Sequence, residues 1–123
     1  MNVWVGVDIG KVAHHVVALD DSGSRLLSRR IVNDESDITA VVAEVLALGF
    51  PVCWAIDVTT GIAALLLAIL RRHKFETRYV SGFSANQELM KRPGENKTDA
   101  RDAAIIAHIA RTTPDLPILL PGR

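Results

Sequence analysis

The stretch Asn2-Val-Trp-Val-Gly-Val-Asp-Ile9 decides how this chain folds. Val3, Val5 and Val7 alternate with Trp4, Gly6 and Asp8, the period of two that gives a strand one core face. A second strand reads from 14 to 20 as His-His-Val-Val-Ala-Leu-Asp. Asp21-Ser-Gly-Ser24 is a turn, with Asp and Gly where a hairpin favours them. A third strand is predicted over 24–32. Three strands on such short connections form an antiparallel meander.

The period then changes. Ile38, Val41, Val42, Val45, Leu46 and Leu48 follow helical spacing, with Asn33 or Asp34 as the cap and Gly49 as the stop. Val52 to Ile56 is a fourth strand, too short for a helix and preceded by Pro51. Thr60 and Gly61 open a second helix to about Arg72; it is apolar all round from Ile62 to Leu70, which predicts burial on more than one side. A fifth strand lies near Glu76 to Val80. Ser84 caps a short helix that ends before Pro93-Gly94, and a last helix runs from Thr98 to Thr112. The order βββαβαβαα predicts an α/β domain: a mixed five-stranded sheet with helices on both faces. Pro114, Pro117 and Pro121 make residues 114–123 read as a stiff linker outside a domain of residues 1–113.

The bulk composition narrows the classes. At 123 residues the chain is one domain with room for a real core. Fourteen basic and 14 acidic residues cancel, which excludes a protein that coats nucleic acid through bulk charge but leaves room for a local basic patch. The single cysteine, Cys53, excludes a disulfide scaffold and fits a reducing, cytoplasmic setting. No signal-peptide pattern opens the chain, and the longest apolar run, Ile62 to Leu70, is about half a membrane span. Trp4, Trp54 and Cys53 read as core packing, and His14, His15, His73 and His108 as structural or surface residues without metal spacing.

The chemistry lies in four aspartates. Asp8 and Asp57 each end an apolar strand; Asp99 and Asp102 are three apart at a helix start and share a face. Each has a bland reading alone: a strand-end turn for Asp8, a helix cap for Asp57, first-turn acids that favour the helix dipole for Asp99 and Asp102. Together they suit a divalent metal. Strands one and four are neighbours in a mixed sheet of this order, and the last helix can add its pair. Four converging carboxylates repel unless cations neutralise them, and two-metal phosphoryl transfer uses such a group. Lys91, Arg92, Lys97, Arg101 and Arg111 surround the last pair, either as a solvated face or as phosphate-backbone contacts. Lys11, just after Asp8, joins these candidate nucleic-acid contacts.

The chain resembles the N-terminal domain of the DEDD transposases of bacterial insertion sequences, the bridge-RNA-guided recombinases. The opening Val5-Gly-Val-Asp8-Ile-Gly-Lys11, followed by His14-His15, is similar to the family's start, and Pro93-Gly-Glu-Asn-Lys-Thr-Asp99-Ala-Arg-Asp102-Ala103 carries its most specific signature. The resemblance implies a RuvC-like, ribonuclease-H-type fold. It implies that Asp8, Asp57, Asp99 and Asp102 form the acidic tetrad, with Asp57 standing where the family often has glutamate. It implies Mg²⁺ or Mn²⁺ as cofactor, and as partners DNA (insertion-sequence ends and target), a guide RNA and further copies in a homo-oligomer. It places the protein in the bacterial cytoplasm at the nucleoid. It also implies an absent C-terminal domain with a nucleophilic serine, so that this chain is a fragment or a shortened gene product, incomplete alone. Ser22, Ser24, Ser28, Ser36, Ser81 and Ser84 read as turn, strand-end or cap residues with no activating partner. Rival readings are a Holliday-junction-type resolvase nuclease, a nucleotide-binding fragment of the sugar-kinase and actin type, and a non-enzymatic assembly module. The second of these shares the Asp-Ile-Gly strand end, but Lys11-Val12 stands where its phosphate loop has Thr or Ser.

Overall fold

The computed structural model describes residues 1–82 and 98–122. The meander forms as its alternation predicts: β1 (Val3–Asp8), β2 (Ala13–Leu19) and β3 (Arg25–Val32). Its second turn closes on one carboxylate. Asp20 Oδ1 accepts from the Ser22 and Ser24 amides, both at 2.9 Å, and from the Ser22 hydroxyl at 2.7 Å, while Gly23 supplies the positive φ of 87°. Helix α1 (Glu35–Leu46) starts at Asp34, whose side chain accepts from the Asp37 amide at 2.8 Å, and Asp37 in turn accepts from the Val32 amide at 2.8 Å.

After α1 come β4 (Val52–Ile56), a 3₁₀ turn (Gly61–Ala63), α2 (Ala64–Arg72), β5 (Glu76–Tyr79), α3 (Asp99–Thr112) and β6 (Ile118–Pro121). The sheet order is β3-β2-β1-β4-β5-β6. β1, β4 and β5 are parallel neighbours, with Val7 beside Ile56 and Trp54 beside Thr77; the strands at either side pair antiparallel. The short helix expected from Ser84 lies outside the described residues. Among those residues no helix is long and apolar enough to cross a membrane.

Two expectations need correction. Among the described residues the sheet has six strands, because Ile118–Pro121 pairs with β5 and is no linker. The prolines permit this. Pro117 contributes only its carbonyl, which accepts from the Tyr79 amide at 2.9 Å, and Pro121 ends an edge strand where no amide is required. Leu120 between them is buried, and the Arg78 guanidinium donates to the Leu116 carbonyl at 2.8 Å. Second, α2 is buried on one face only, at Leu66, Ile69 and Leu70. Its exposed apolar positions are Ala64 and Ala68, which cost little in water, and Arg71 and Arg72 end it in solvent, while Leu65 and Leu67 flank the core half-buried.

The sheet separates two cores. On one face Val3, Val5, Val7, Trp54 and Ile56 pack with Ile38, Val41 and Val45 of α1 and Leu66 and Leu70 of α2. On the other, among the described residues, lies α3, with Ile105, Ile106 and Ile109 against Ala55 and Val80, and Ala103 and Ala107 against Val17 and Leu19. Its axis crosses β1 at Gly6. A Cβ there would stand 2.2 Å from the Ala103 carbonyl oxygen and 2.4 Å from the Ala107 nitrogen, so backbone meets backbone.

We expect Gly6→Ala to lower stability in urea or thermal melts by about 1–3 kcal/mol or more, the range for overpacking. Gly61→Ala, where an added Cβ meets nothing within 4 Å, should stay within about 0.5 kcal/mol of wild type. Equal losses in both variants would show that the crossing stores no packing constraint.

Candidate metal centre

Asp8 is the last residue of β1 and Asp57 directly follows β4. Because those strands run parallel and Val7 pairs with Ile56, the two carboxylates leave adjacent strand ends side by side. Trp4, Gly6 and Asp8 share the sheet face that α3 covers. Helix α3 begins at the same end. The Thr98 hydroxyl accepts from the Arg101 amide at 3.0 Å, and Asp99 and Asp102 occupy the first turn.

Asp8, Asp99 and Asp102 each bring a carboxylate oxygen to within 4.8 Å of the others. This all-oxygen set suits a hard divalent cation, which takes carboxylates and keeps several waters. Asp57 stands outside that triad. Its Oδ1 accepts from the Ile9 amide at 3.3 Å, which ties β4 to the chain leaving Asp8, and its charge still reaches Asp8.

The cluster strains its own ionisation. The Asp8 carboxyl is pushed from 3.8 up to about 7, first by burial and then by the charges of Asp57, Asp102 and Asp99. Burial is also the main cause that raises Asp57, against the Ile9 amide bond that lowers it. A cation among the triad would remove the repulsion, so the residues present fit such an ion.

Buried His14 braces this end of the sheet. The Gly10 amide donates to its Nδ1 at 3.1 Å, so Nε2 carries the proton and donates to Asn33 Oδ1 at 3.1 Å. The Asn33 amide donates on to the Ile62 carbonyl at 3.4 Å. This chain joins the β1–β2 connection to the start of the second helical segment. His14 is structural, as the sequence reading holds.

The basic residues divide. Lys11 is exposed on the loop just after Asp8, and Arg101 is half-buried in the first turn of α3. Lys91, Arg92 and Lys97 lie outside the described residues. Arg111 does not join the site: it is twelve residues along α3, about 18 Å from Asp99. Its guanidinium donates to the Asp21 carbonyl at 3.1 Å and clamps the β2–β3 turn.

Two residues of this region have partners that their local sequence does not reveal. His15 sits opposite Asp8 in the β1–β2 ladder, half-buried, and its Nε2 is hydrogen-bonded to the Ser28 hydroxyl at 2.8 Å. Ser28 is therefore a mid-strand residue with an imidazole partner, not a lone cap or turn serine. Pairing outward from the short β1–β2 connection was the signal in the sequence that places His15 beside Asp8.

Residues 5–121 match the family model described as a transposase, of the IS110 DEDD type. The chain belongs to this family. It is 44% identical over 122 residues to the 42 kDa protein of insertion element IS900 from Mycobacterium paratuberculosis, covering 98% of this chain and 31% of that protein. It is 39% identical to the 44.8 kDa protein of insertion element IS116 from Streptomyces clavuligerus, over 92% of this chain and 28% of that protein. The chain thus spans less than a third of the length of these relatives. Among solved structures it is similar in fold to RuvC from T. thermophilus in complex with a Holliday junction substrate, with a TM-score of 0.68 at 14% identity over 95% of this chain and 99% of that one. A second Thermus thermophilus RuvC structure matches at a TM-score of 0.60. The fold of this transposase-family chain is ribonuclease-H-like, as its strand order and the resemblance imply.

The raised Asp8 carboxyl sets a pH dependence. Its folded value lies above its ordinary value, so its contribution to stability is full below about pH 4 and is lost as pH rises through about 7. In metal-free buffer, the melting temperature of wild type relative to Asp8→Asn should fall across that window. A difference that stays flat from pH 4 to about 8 would remove the repulsive cluster from the energetics.

Proposed function

We propose that this chain is the metal-binding catalytic domain of an insertion-sequence transposase that cleaves and exchanges DNA strands. The observation that carries the reading is the convergence of Asp8, Asp99 and Asp102 at one end of a ribonuclease-H-like sheet, with Asp57 beside them. Asp8, Asp99 and Asp102 hold Mg²⁺ or Mn²⁺, and Asp57 orients Asp8 and contributes charge from the neighbouring strand. The ion, when bound, polarises a phosphodiester and stabilises charge on its oxygens. The chain's own part is to aim four carboxylates from two strand ends and a helix start, so that the phosphate enters a site already arranged.

Lys11 and Arg101 flank the cluster and contact the DNA backbone, and Lys91, Arg92 and Lys97 are assigned the same role. The attacking serine belongs to the part of the longer protein that this chain does not span, and the guide RNA and oligomeric contacts belong to the whole assembly in the bacterial cytoplasm. Residues 1–121 then act as one unit, with the link to the serine domain beyond β6. A second reading, a Holliday-junction-type nuclease, is favoured by one observation: the fold match to RuvC in complex with a Holliday junction substrate extends over 99% of that chain. Such an enzyme cleaves without strand exchange.

Calorimetry with Mg²⁺ or Mn²⁺ should give weak binding by the wild-type chain, because three carboxylates without substrate phosphate leave the ligand set incomplete. Asp8→Asn should abolish that heat. Retained binding in that variant would remove Asp8 from the ligand set.

In the full-length protein, Asp99→Ala or Asp102→Ala should abolish strand exchange, and Lys11→Ala with Arg101→Ala should weaken DNA binding at every sequence. The 123-residue chain should carry out no strand exchange. Efficient metal-dependent cutting of four-way junctions by the chain alone would favour the nuclease reading instead.

A further inference from the structure

The outer strand β3 carries a pattern that the metal centre does not use. Arg30 pairs with His15, and His15 pairs with Asp8, so these three form one row across the sheet. Two inter-strand steps of about 4.8 Å put Arg30 about 10 Å from Asp8 at the Cα level. Side chains in such a row share a face, here the face of α3. Ser28 pairs with Val17, which packs on Ala103 and Ala107 of α3, and so belongs to that face as well.

Arg25 would ordinarily point to the other face, since it is an odd number of residues from Arg30. The ladder slips between Ala18 and Leu19: Ala18 pairs with Leu27, but Leu19 pairs with Arg25. This bulge turns Arg25 to the side of Leu19, which also packs against α3. The electrostatics agree. The His15 imidazole is lowered first by burial; Asp99 acts to raise it and Arg25 and Arg30 to lower it, so both arginines are within electrostatic reach of His15. Arg29, on the opposite face, is occupied by Glu44 of α1 at 3.0 Å. Arg25, Ser28 and Arg30 are all exposed, and among the described residues neither Arg25 nor Arg30 forms an ion pair within 4.0 Å.

We propose that Arg25, Ser28 and Arg30 of β3, with His15 of β2, form a phosphate-contact strip that guides a DNA strand across the exposed residues of β3 into the Asp8, Asp99 and Asp102 cluster. The strip is about 14 Å long, four residues of strand at about 3.4 Å each from His15 to Leu19. Two guanidiniums and a hydroxyl present donors for phosphate oxygens, and none reads a base edge there. The strip starts beside the acids, so the strand it holds is the one whose phosphodiester reaches them. A charged edge strand also blocks edge-to-edge pairing. That role asks only for charge along the edge. It does not ask for a bulge that gathers two arginines on the face of the metal centre.

The proposal rests on the DNA-cleaving reading above, and its test separates the two. Fluorescence anisotropy of the 123-residue chain would be followed on duplex DNA, single-stranded DNA and RNA of one sequence over a salt series. Arg25→Ala/Arg30→Ala should cut the slope of log affinity against log salt by about 1.8 on duplex or about 1.4 on single strands, two phosphate contacts' worth. Between about 50 and 200 mM salt, wild type should then lose about tenfold more duplex affinity than the variant. Arg71→Ala/Arg72→Ala, which removes two exposed charges from α2 on the opposite face, should match wild type. Arg25→Gln/Arg30→Gln should repeat the loss with an unchanged melting temperature. DNA binding with wild-type slope in the β3 variants would overturn the strip while leaving the DNA reading intact; so would unchanged DNA binding accompanied by self-association, which returns the arginines to edge protection. A loss confined to RNA would overturn the assignment to a DNA strand. No salt-dependent binding of any nucleic acid by wild type would overturn both.

Discussion

Everything at the acidic end of the sheet depends on one backbone contact. Helix α3 reaches the sheet at Gly6, where only the absence of a Cβ lets the Ala103 carbonyl and the Ala107 amide approach β1. The small residues continue along the crossing, with Ala103 and Ala107 fully buried against Val17 and Leu19. This close seat lowers the helix onto the strand that ends in Asp8. A helix held a side chain's depth further out would carry Asp99 and Asp102 away from Asp8, and the 4.8 Å triad would not form. Packing at the middle of β1 therefore sets chemistry at its end.

The cost of that geometry is electrostatic. Burial and three neighbouring acids hold Asp8 near neutrality, so the fold keeps a carboxyl that resists ionisation at the position where charge is needed. Rigid surroundings sustain it. Asp57 accepts the Ile9 amide, His14 accepts the Gly10 amide, and Asn33 carries the link to Ile62. These bonds fix the connection after Asp8 from two sides. A preorganised, self-repelling site of this kind gains most from a bound cation, because the ion removes repulsion without moving the backbone.

The other end of α3 is structural. Arg111 reaches back to the β2–β3 turn, whose Asp21 also accepts from the Trp4 indole at 3.3 Å and the Asn2 amide at 3.1 Å. The helix is thus pinned at its C-terminal end by polar contacts and along its length by packing. Arg111 looked like one more cation near the acids because it is near them in sequence, yet the rise of the helix carries it to the opposite end of the sheet.

Local rules were enough for much of this. Alternating valines, the Asp21–Ser24 turn, a cap at one of Asn33 and Asp34 and the helical spacing of Ile38 to Val45 depend on neighbours within a few residues, and these formed where the sequence placed them, the cap falling to Asp34. The pairing of Asp99 with Asp102 on one face is likewise a property of the helix period. Three things were decided only by tertiary structure. Ile118–Pro121 became a strand because β5 offered an edge to pair with, which no proline count reveals. Asp57 fell beside the triad and not within it, because its position depends on how β4 ends against β1. His15, Ser28 and the bulge at Arg25 acquired their places from strand register, and register comes from packing between strands distant in sequence. By itself the sequence determined the elements that rest on local pattern and which acids can meet. The contacts between elements determined which of them do.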